Sequence, residues 1–333
     1  MNIDFLKEVL SLPSISGNES MVRDYIIEFA KERNIDYYVD NKGNLYLTKG
    51  TLETMDEYYP CVVSHMDTVH RGHKELIENK VRLVIEEKVL FDGVTNTNTL
   101  IAKLPDTDKQ TGIGGDDKCG VYVCLELFEK FDKLKGAFFV EEEIGMLGSR
   151  QADSNFFGNV GYAIQFDAPS SNWITEICSG VKLFDEDFKG EIKEVLNESG
   201  YTKFSIDPFT DVNQLASKFD FNCLNLGCGY YRQHTDHEYV VVEEVSDSVN
   251  AGVKLITKLG NVKYTHKKIE KKPLITETKY DYHSYNDSFD YEEYDDYEIV
   301  AEELTELIIE HYEKGMSEYE IKEKVVNYLK LLY

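Results

Sequence analysis

Short apolar runs that stop abruptly on histidine or acid constrain this chain more than any other feature. PCVVS (60–64) runs into His65 and Asp67, GAFFV (136–140) into Glu141-Glu142-Glu143, and GYAIQF (161–166) into Asp167. FNCLNLG (221–227) is followed seven residues later by His234. Each run has the length and β-branched or aromatic character of a buried strand. Such strands alternating with helical stretches predict a layered α/β sheet with helices on both faces. Ligands in these sheets gather beyond the carboxyl ends of the strands, so the polar residues there are the first candidates for chemistry.

Helical periodicity covers Ile3 to about Ser11, 120–132, 184–198, 210–218 and 241–259. Ser16 with Glu19 reads as a capping box that opens a second helix reaching about Arg33. YYVD and NLYLTKG read as strands around the turn Asn41-Lys42-Gly43, and 80–92 as a hairpin at a sheet edge. Beyond residue 262 the character changes. Residues 263–298 read as an acidic, tyrosine-rich linker: nine acidic residues, six tyrosines and one lysine fall in 277–298. Residues 299–333 read as a two-helix appendage around Lys314-Gly315-Met316-Ser317, either an oligomer contact or a cover for its own domain. The catalytic domain is accordingly expected at 1–262.

A net formal charge of −26 sets the surface against phosphate backbones and anionic lipid, so neither a nucleic acid nor a membrane is an expected partner. The first residues lack the basic start and unbroken apolar stretch of a signal peptide. The six cysteines form no CxxC pair, and reduced thiols in a cytoplasmic setting are expected.

Each chemical segment has a plain reading beside the functional one. His65-Met66-Asp67 suits a metal ligand with a carboxylate to hold its other ring nitrogen, or is a polar turn. Gly112-Ile113-Gly114-Gly115-Asp116-Asp117-Lys118 folds tightly around a point charge, or is a glycine-rich turn with a capping aspartate. It lacks the GKS or GKT of a phosphate loop. Glu141-Glu142-Glu143 makes sense if a cation absorbs its repulsion, or is a solvated acidic turn. Asp167 alone resembles a helix cap. In Arg232-Gln233-His234-Thr235-Asp236-His237-Glu238, His234 is the better ligand and His237 its rival.

Together, SHMDTV, GIGGDDKCG, EEEIGMLGS, Asp167 and HTDHEYV resemble the M20 metallopeptidase family in order and spacing over roughly residues 1–262. The resemblance implies a three-layer zinc-peptidase-like domain with a central mixed sheet. It implies two zinc ions, with cobalt or manganese as substitutes, held by His65, Asp116, Glu143, Asp167 and His234. Asp116 would bridge the ions, Glu142 would be the general base, and Asp67 would orient His65. It also implies a cis peptide between Asp116 and Asp117, and a place near the site for Phe209-Thr210-Asp211-Val212. Most members insert a lid between the fourth and fifth motifs. Here only residues 168–233 lie between them, room for one strand, one helix and the Thr210-Asp211 segment, so the lid is expected to be absent. Tyr230, Tyr231, Arg232 and Arg150 are candidates to replace its substrate contacts, Tyr231 and Arg232 first.

The expected function is hydrolysis of an amide bond in a short peptide, exopeptidase-like, by a zinc-activated water. Removal of the acyl group from an N-acyl amino acid is the alternative. An inactive metallopeptidase-like binding protein is the reading from another class; the complete ligand set with Glu142 argues against it.

Overall fold

The computed structural model describes residues 2–91, 95–207 and 209–267. Its helices are α1 (Ile3–Leu10), α2 (Ser20–Glu32), α3 (Lys74–Glu78), α4 (Gly115–Lys130), α5 (Ser154–Phe157), α6 (Glu186–Glu198), α7 (Asp211–Lys218) and α8 (Val242–Leu259). Its strands begin with β1 (Asp36–Val39), β2 (Leu45–Lys49), β3 (Tyr59–His65), β4 (Val84–Phe91), β5 (Asn96–Lys103), β6 (Gln110–Thr111) and β7 (Leu134–Phe139). They continue with β8 (Val160–Ala168), β9 (Trp173–Cys178), β10 (Val181–Lys182), β11 (Lys203–Asp207), β12 (Asn222–Gly227), β13 (Tyr230–Tyr231) and β14 (Tyr239–Val241).

The main sheet runs β1-β2-β7-β3-β8-β12-β9-β10, with β11 paired to β9. Its centre, β7-β3-β8-β12, is parallel throughout, and antiparallel pairings of β2 with β7 and of β9 with β12 flank it. β3, β7 and β12 are buried along their whole length, as continuous apolar runs covered on both faces should be. Successive side chains of one strand point to opposite faces, and β8 shows what each face meets. Gln165 accepts hydrogen bonds from Thr210 Oγ1 and Val212 N at the start of α7. Its neighbour Phe166 lies under Gly252 of α8, where a Cβ would come within 3.1 Å of the ring. Helices therefore cover both faces of a mixed sheet, the architecture expected from the alternating pattern.

Three sequence expectations shift. The stretch 80–92 is not a hairpin by itself. β4 is one arm, and its partner β5 belongs to a second sheet ordered β13-β14-β5-β4, with β6 on β5. The polar start of β5, Asn-Thr-Asn-Thr, hides the strand signal. Ser16 and Glu19 make no capping box. α2 starts at Ser20, Ser16 donates to Asp67, and Glu19 accepts from Gly17 N and Glu141 N. Between Asp167 and His234 the helices expected at 184–198 and 210–218 form as α6 and α7, and the chain also adds β9, β10 and β11 to the sheet, strands that the sequence pattern did not place. No separate lid forms among the described residues of this span.

All six cysteines are buried free thiols. No helix among the described residues is long and apolar enough to cross a membrane. Tyr264 N and His266 N still bond to Gly161 O and Asp220 O, so the main chain remains on the domain there. The linker and helical-appendage readings for residues 268–333 lie outside the described residues.

Candidate metal centre

The four central parallel strands end on one edge of the sheet, and each delivers a residue there. His65 closes β3, Glu142 and Glu143 follow β7, Asp167 is the last but one residue of β8, and His234 lies past β12. Asp116 arrives from the start of α4, where Asp116 (φ −77°, ψ 104°) and Asp117 (φ −115°, ψ 33°) are not yet helical. The peptide between them is cis, as the resemblance implies. Regular helix begins at Lys118. Its buried ammonium donates to Leu10 O and Leu12 O, tying the end of α1 to this turn, and burial pulls its pKa down to about 7. The motif's glycines make room for side chains more than for a point charge. A Cβ on Gly112 would collide with the His70 ring at 1.8 Å, and one on Gly114 (φ +66°) would meet Lys118 and Thr68 at 2.8 Å.

The acids and imidazoles converge. His65 Nε2 lies 3.1 Å from Asp116 Oδ1, 3.5 Å from Asp167 Oδ1 and 3.9 Å from Glu142 Oε2. His234 Nε2 lies 3.3 Å from Asp116 Oδ2 and 3.1 Å from Glu143 Oε2. Asp116 thus turns one oxygen to each histidine. His65, Asp116 and Glu143 are close enough to share an ion, and so are His65, Asp117 and Asp167. Asp117 is better read as a support. Its oxygens already accept from Ser64 Oγ, His65 N and Gly120 N.

Except at His234, these groups are largely shielded from water. The His65 side chain has no exposed surface, and Glu142, Glu143 and Asp167 are all below a tenth exposed. Burial raises the Glu142 carboxyl well above the ordinary range; His65 opposes this, and Asp167, Asp211 and Asp116 add to it. Burial likewise raises Asp167 and Glu143. Burial would also raise Asp116, but His234 and His65 outweigh it and hold its carboxyl low. Hydrogen bonds to Asp116 and Glu143 raise His234 to about 10. Like charges this close cannot all ionise unless something positive joins them. Glu143 Oε1 is buried without a hydrogen-bond partner, which native interiors seldom tolerate. Anionic carboxylates with imidazole nitrogens are the donors that zinc takes, so residues present and group implied fit one another.

Beneath the candidate ligands lies a supporting layer, of which the sequence pointed only to Asp67 beside His65. Asp67 accepts from the backbone N–H of Glu142 (2.9 Å) and Glu143 (3.2 Å) and from Ser16. His65 Nδ1 is 3.1 Å from the Asp67 carbonyl and 3.4 Å from its carboxylate, so Asp67 shapes the acidic turn as well as facing the ring. Asp167 N donates to Asn225 Oδ1 (2.9 Å), and Asn225 Nδ2 donates back to Asp167 O (3.0 Å). Glu238 accepts from Gly114 N (2.8 Å), Asp116 N (3.1 Å) and His70 Nε2 (2.9 Å). The contacts of Asn225 and Glu238 had no counterpart among the sequence expectations.

Of the remaining candidates, Tyr230 is buried and donates to Asp167 Oδ1 at 3.4 Å. The Tyr231 hydroxyl bonds to Glu244, and its ring stacks on Tyr239. Arg232, Arg150 and His237 are exposed. Asp211 is fully buried at the head of α7, and burial raises it to about 7.

A three-layer α/β domain with a histidine–carboxylate cluster at the ends of its parallel strands is a recognisable class of fold. Among solved structures, the aminopeptidase PepT of Bacillus cereus matches with a TM-score of 0.60 at 15% identity, over 77% of this chain and 97% of that one. A TET aminopeptidase from a marine-sediment Thaumarchaeota archaeon matches with a TM-score of 0.57 at 11% identity, over 77% of this chain and 97% of that one. A Staphylococcus aureus tripeptidase matches at 0.55 and 14%, over 78% and 98%. Comparison with protein-family models and with curated protein sequences finds no match. The chain has the fold of these peptidases; at such identities the likeness concerns the fold alone.

Proposed function

We propose that this chain is a metal-dependent hydrolase that removes residues from the amino end of short peptides, using two zinc-type ions. His65, Asp116 and Asp167 would hold one, and Asp116, Glu143 and His234 the other; cobalt or manganese could replace zinc. The observation that carries this reading is Asp116, whose two oxygens face His65 Nε2 and His234 Nε2 at 3.1 and 3.3 Å. When bound, the ions would supply the positive charge that acidifies a water and polarises the scissile carbonyl.

Glu142 is the general base. Its Oε2 lies 3.9 Å from His65 Nε2, inside the cluster, and its raised pKa suits a group that takes a proton and returns it to the leaving amine. Tyr230 fixes Asp167 through its hydroxyl. Asp67 holds the turn that aims Glu142. The balance of charge supports a substrate with a free amino terminus. Asp67, Asp117 and Asp211 add acid around the ligands, and the nearby arginines, Arg150 and Arg232, are on the surface. An ammonium group is attracted to such a site. For the anionic N-acyl amino acid of the alternative reading, the buried ammonium beside the turn, Lys118, is already engaged by Leu10 O and Leu12 O.

The test is a panel of dipeptides and tripeptides with free or acetylated amino termini, offered to the zinc-loaded chain. Cleavage of the free-amine set is expected. E142Q should lower turnover by roughly 10²–10⁴-fold while both ions stay bound. A folded, zinc-bound chain that cleaves nothing in the panel overturns the hydrolase reading.

A further inference from the structure

We infer that Glu238, anchored by His70, is the positioning residue that sets Asp116 for two ions. The inference rests on the proposed metal site. Glu238 has no exposed surface, and its carboxylate gathers three donors from two distant parts of the chain. Oε2 accepts from Gly114 N at 2.8 Å and from His70 Nε2 at 2.9 Å, and Oε1 accepts from Asp116 N at 3.1 Å. Both N–H groups belong to the turn that carries Asp116, so the carboxylate fixes where that residue's backbone sits.

The same segment reaches Asp116 from its other end. His234, four residues before Glu238, approaches the Asp116 side chain at 3.3 Å. Residues 234–238 therefore touch Asp116 twice, at its amide through Glu238 and at its carboxylate through His234. Neighbouring residues make this arrangement hard to vary. A Cβ on Gly115 would come within 2.8 Å of Tyr230 and 3.3 Å of Glu238 Oε1, and one on Gly112 would enter the His70 ring. A buried carboxylate bonded to three N–H donors is strongly held, and replacing an acceptor by a donor leaves a buried N–H facing another. The turn must then move, and Asp116 with it.

The experiment compares E238Q with the unaltered chain by chelator competition and by metal content. We expect the affinity for at least one ion to fall roughly 10–100-fold, as is usual when an outer partner of a ligand is lost, while the metal-free chain keeps its circular dichroism. A merely structural role would lower the melting temperature of the metal-free chain and leave both affinities alone. H70F, which keeps a ring against Gly112 but removes the N–H, should show a smaller fall in the same direction. Unchanged affinity for both ions in folded E238Q overturns the inference; if E238Q does not fold, unchanged affinities in H70F do so. Two ions bound normally without peptide cleavage would instead sink the hydrolase reading and leave this inference standing. A chain that binds no divalent ion removes both.

Discussion

His65 and His234 face the same aspartate at nearly equal distances, yet the chain holds them in opposite ways. His65 has no exposed side-chain surface, and Asp117 grips its backbone N–H. The other clustered residues share that device: Asp116, at the start of α4, through Glu238, Glu142 and Glu143 through Asp67, and Asp167 through Asn225. His234 stands at φ +63° in a stretch exposed from Thr235 to His237, with its side chain half exposed, and no carboxylate or amide side chain clamps its backbone among the described hydrogen bonds. One half of the proposed centre is thus fixed by contacts within the chain. The other is completed by a segment that water reaches and that an ion would have to hold in place.

Asp116→Ala should have the largest effect, because both halves share that residue. Zinc at about 100 times its Kd stabilises a protein by about 2.7 kcal/mol, roughly 5–10 °C in melting temperature for a domain of this size. D116A should lose that zinc-induced rise altogether, as differential scanning fluorimetry would show. Retention of the full rise would mean that Asp116 is no bridge.

His234→Ala should do less. One ion should remain by metal analysis, with part of the thermal rise, because the strand-borne half does not depend on the exposed segment. Loss of both ions in H234A would break the comparison. If H237A loses an ion while H234A keeps both, the last ligand is His237 instead.

The smallest effect concerns Asp211, fully buried and close enough to raise Glu142 by its charge. Burial raises its carboxyl to about 7, so the folded, metal-free chain keeps a proton that the unfolded chain releases near pH 4. Its contribution to stability is present below about pH 4 and is lost as pH rises to about 7. The melting temperature of the metal-free chain should therefore fall between about pH 4 and 7, and D211N should flatten that slope. An equal slope in D211N would assign the dependence to other groups.

The strands and the residues that end them were legible because both signals are local. A run such as PCVV and the histidine that stops it sit side by side in sequence. The central strands, α4 and α8 all appear near their expected bounds. What was not legible acts over distance. Glu238 meets His70 across 168 residues and Gly114 across 124, and Asn225 meets Asp167 across 58. No period or short motif encodes such pairings. The capping box failed for a related reason: Ser16 has a stronger partner 51 residues away in Asp67. The second sheet was missed because half of β5 is polar.

Asp117, Glu238, Asp67 and Asn225 grip amide groups, and an amide is the same whatever side chain its residue carries. The scaffold therefore behaves as a socket whose pins can be exchanged. An aspartate traded for a glutamate or a histidine at position 167 would leave the hydrogen bonds at Asn225 in place. In the proposed centre, the side chains offered to an ion can therefore change one substitution at a time without rebuilding the backbone that presents them.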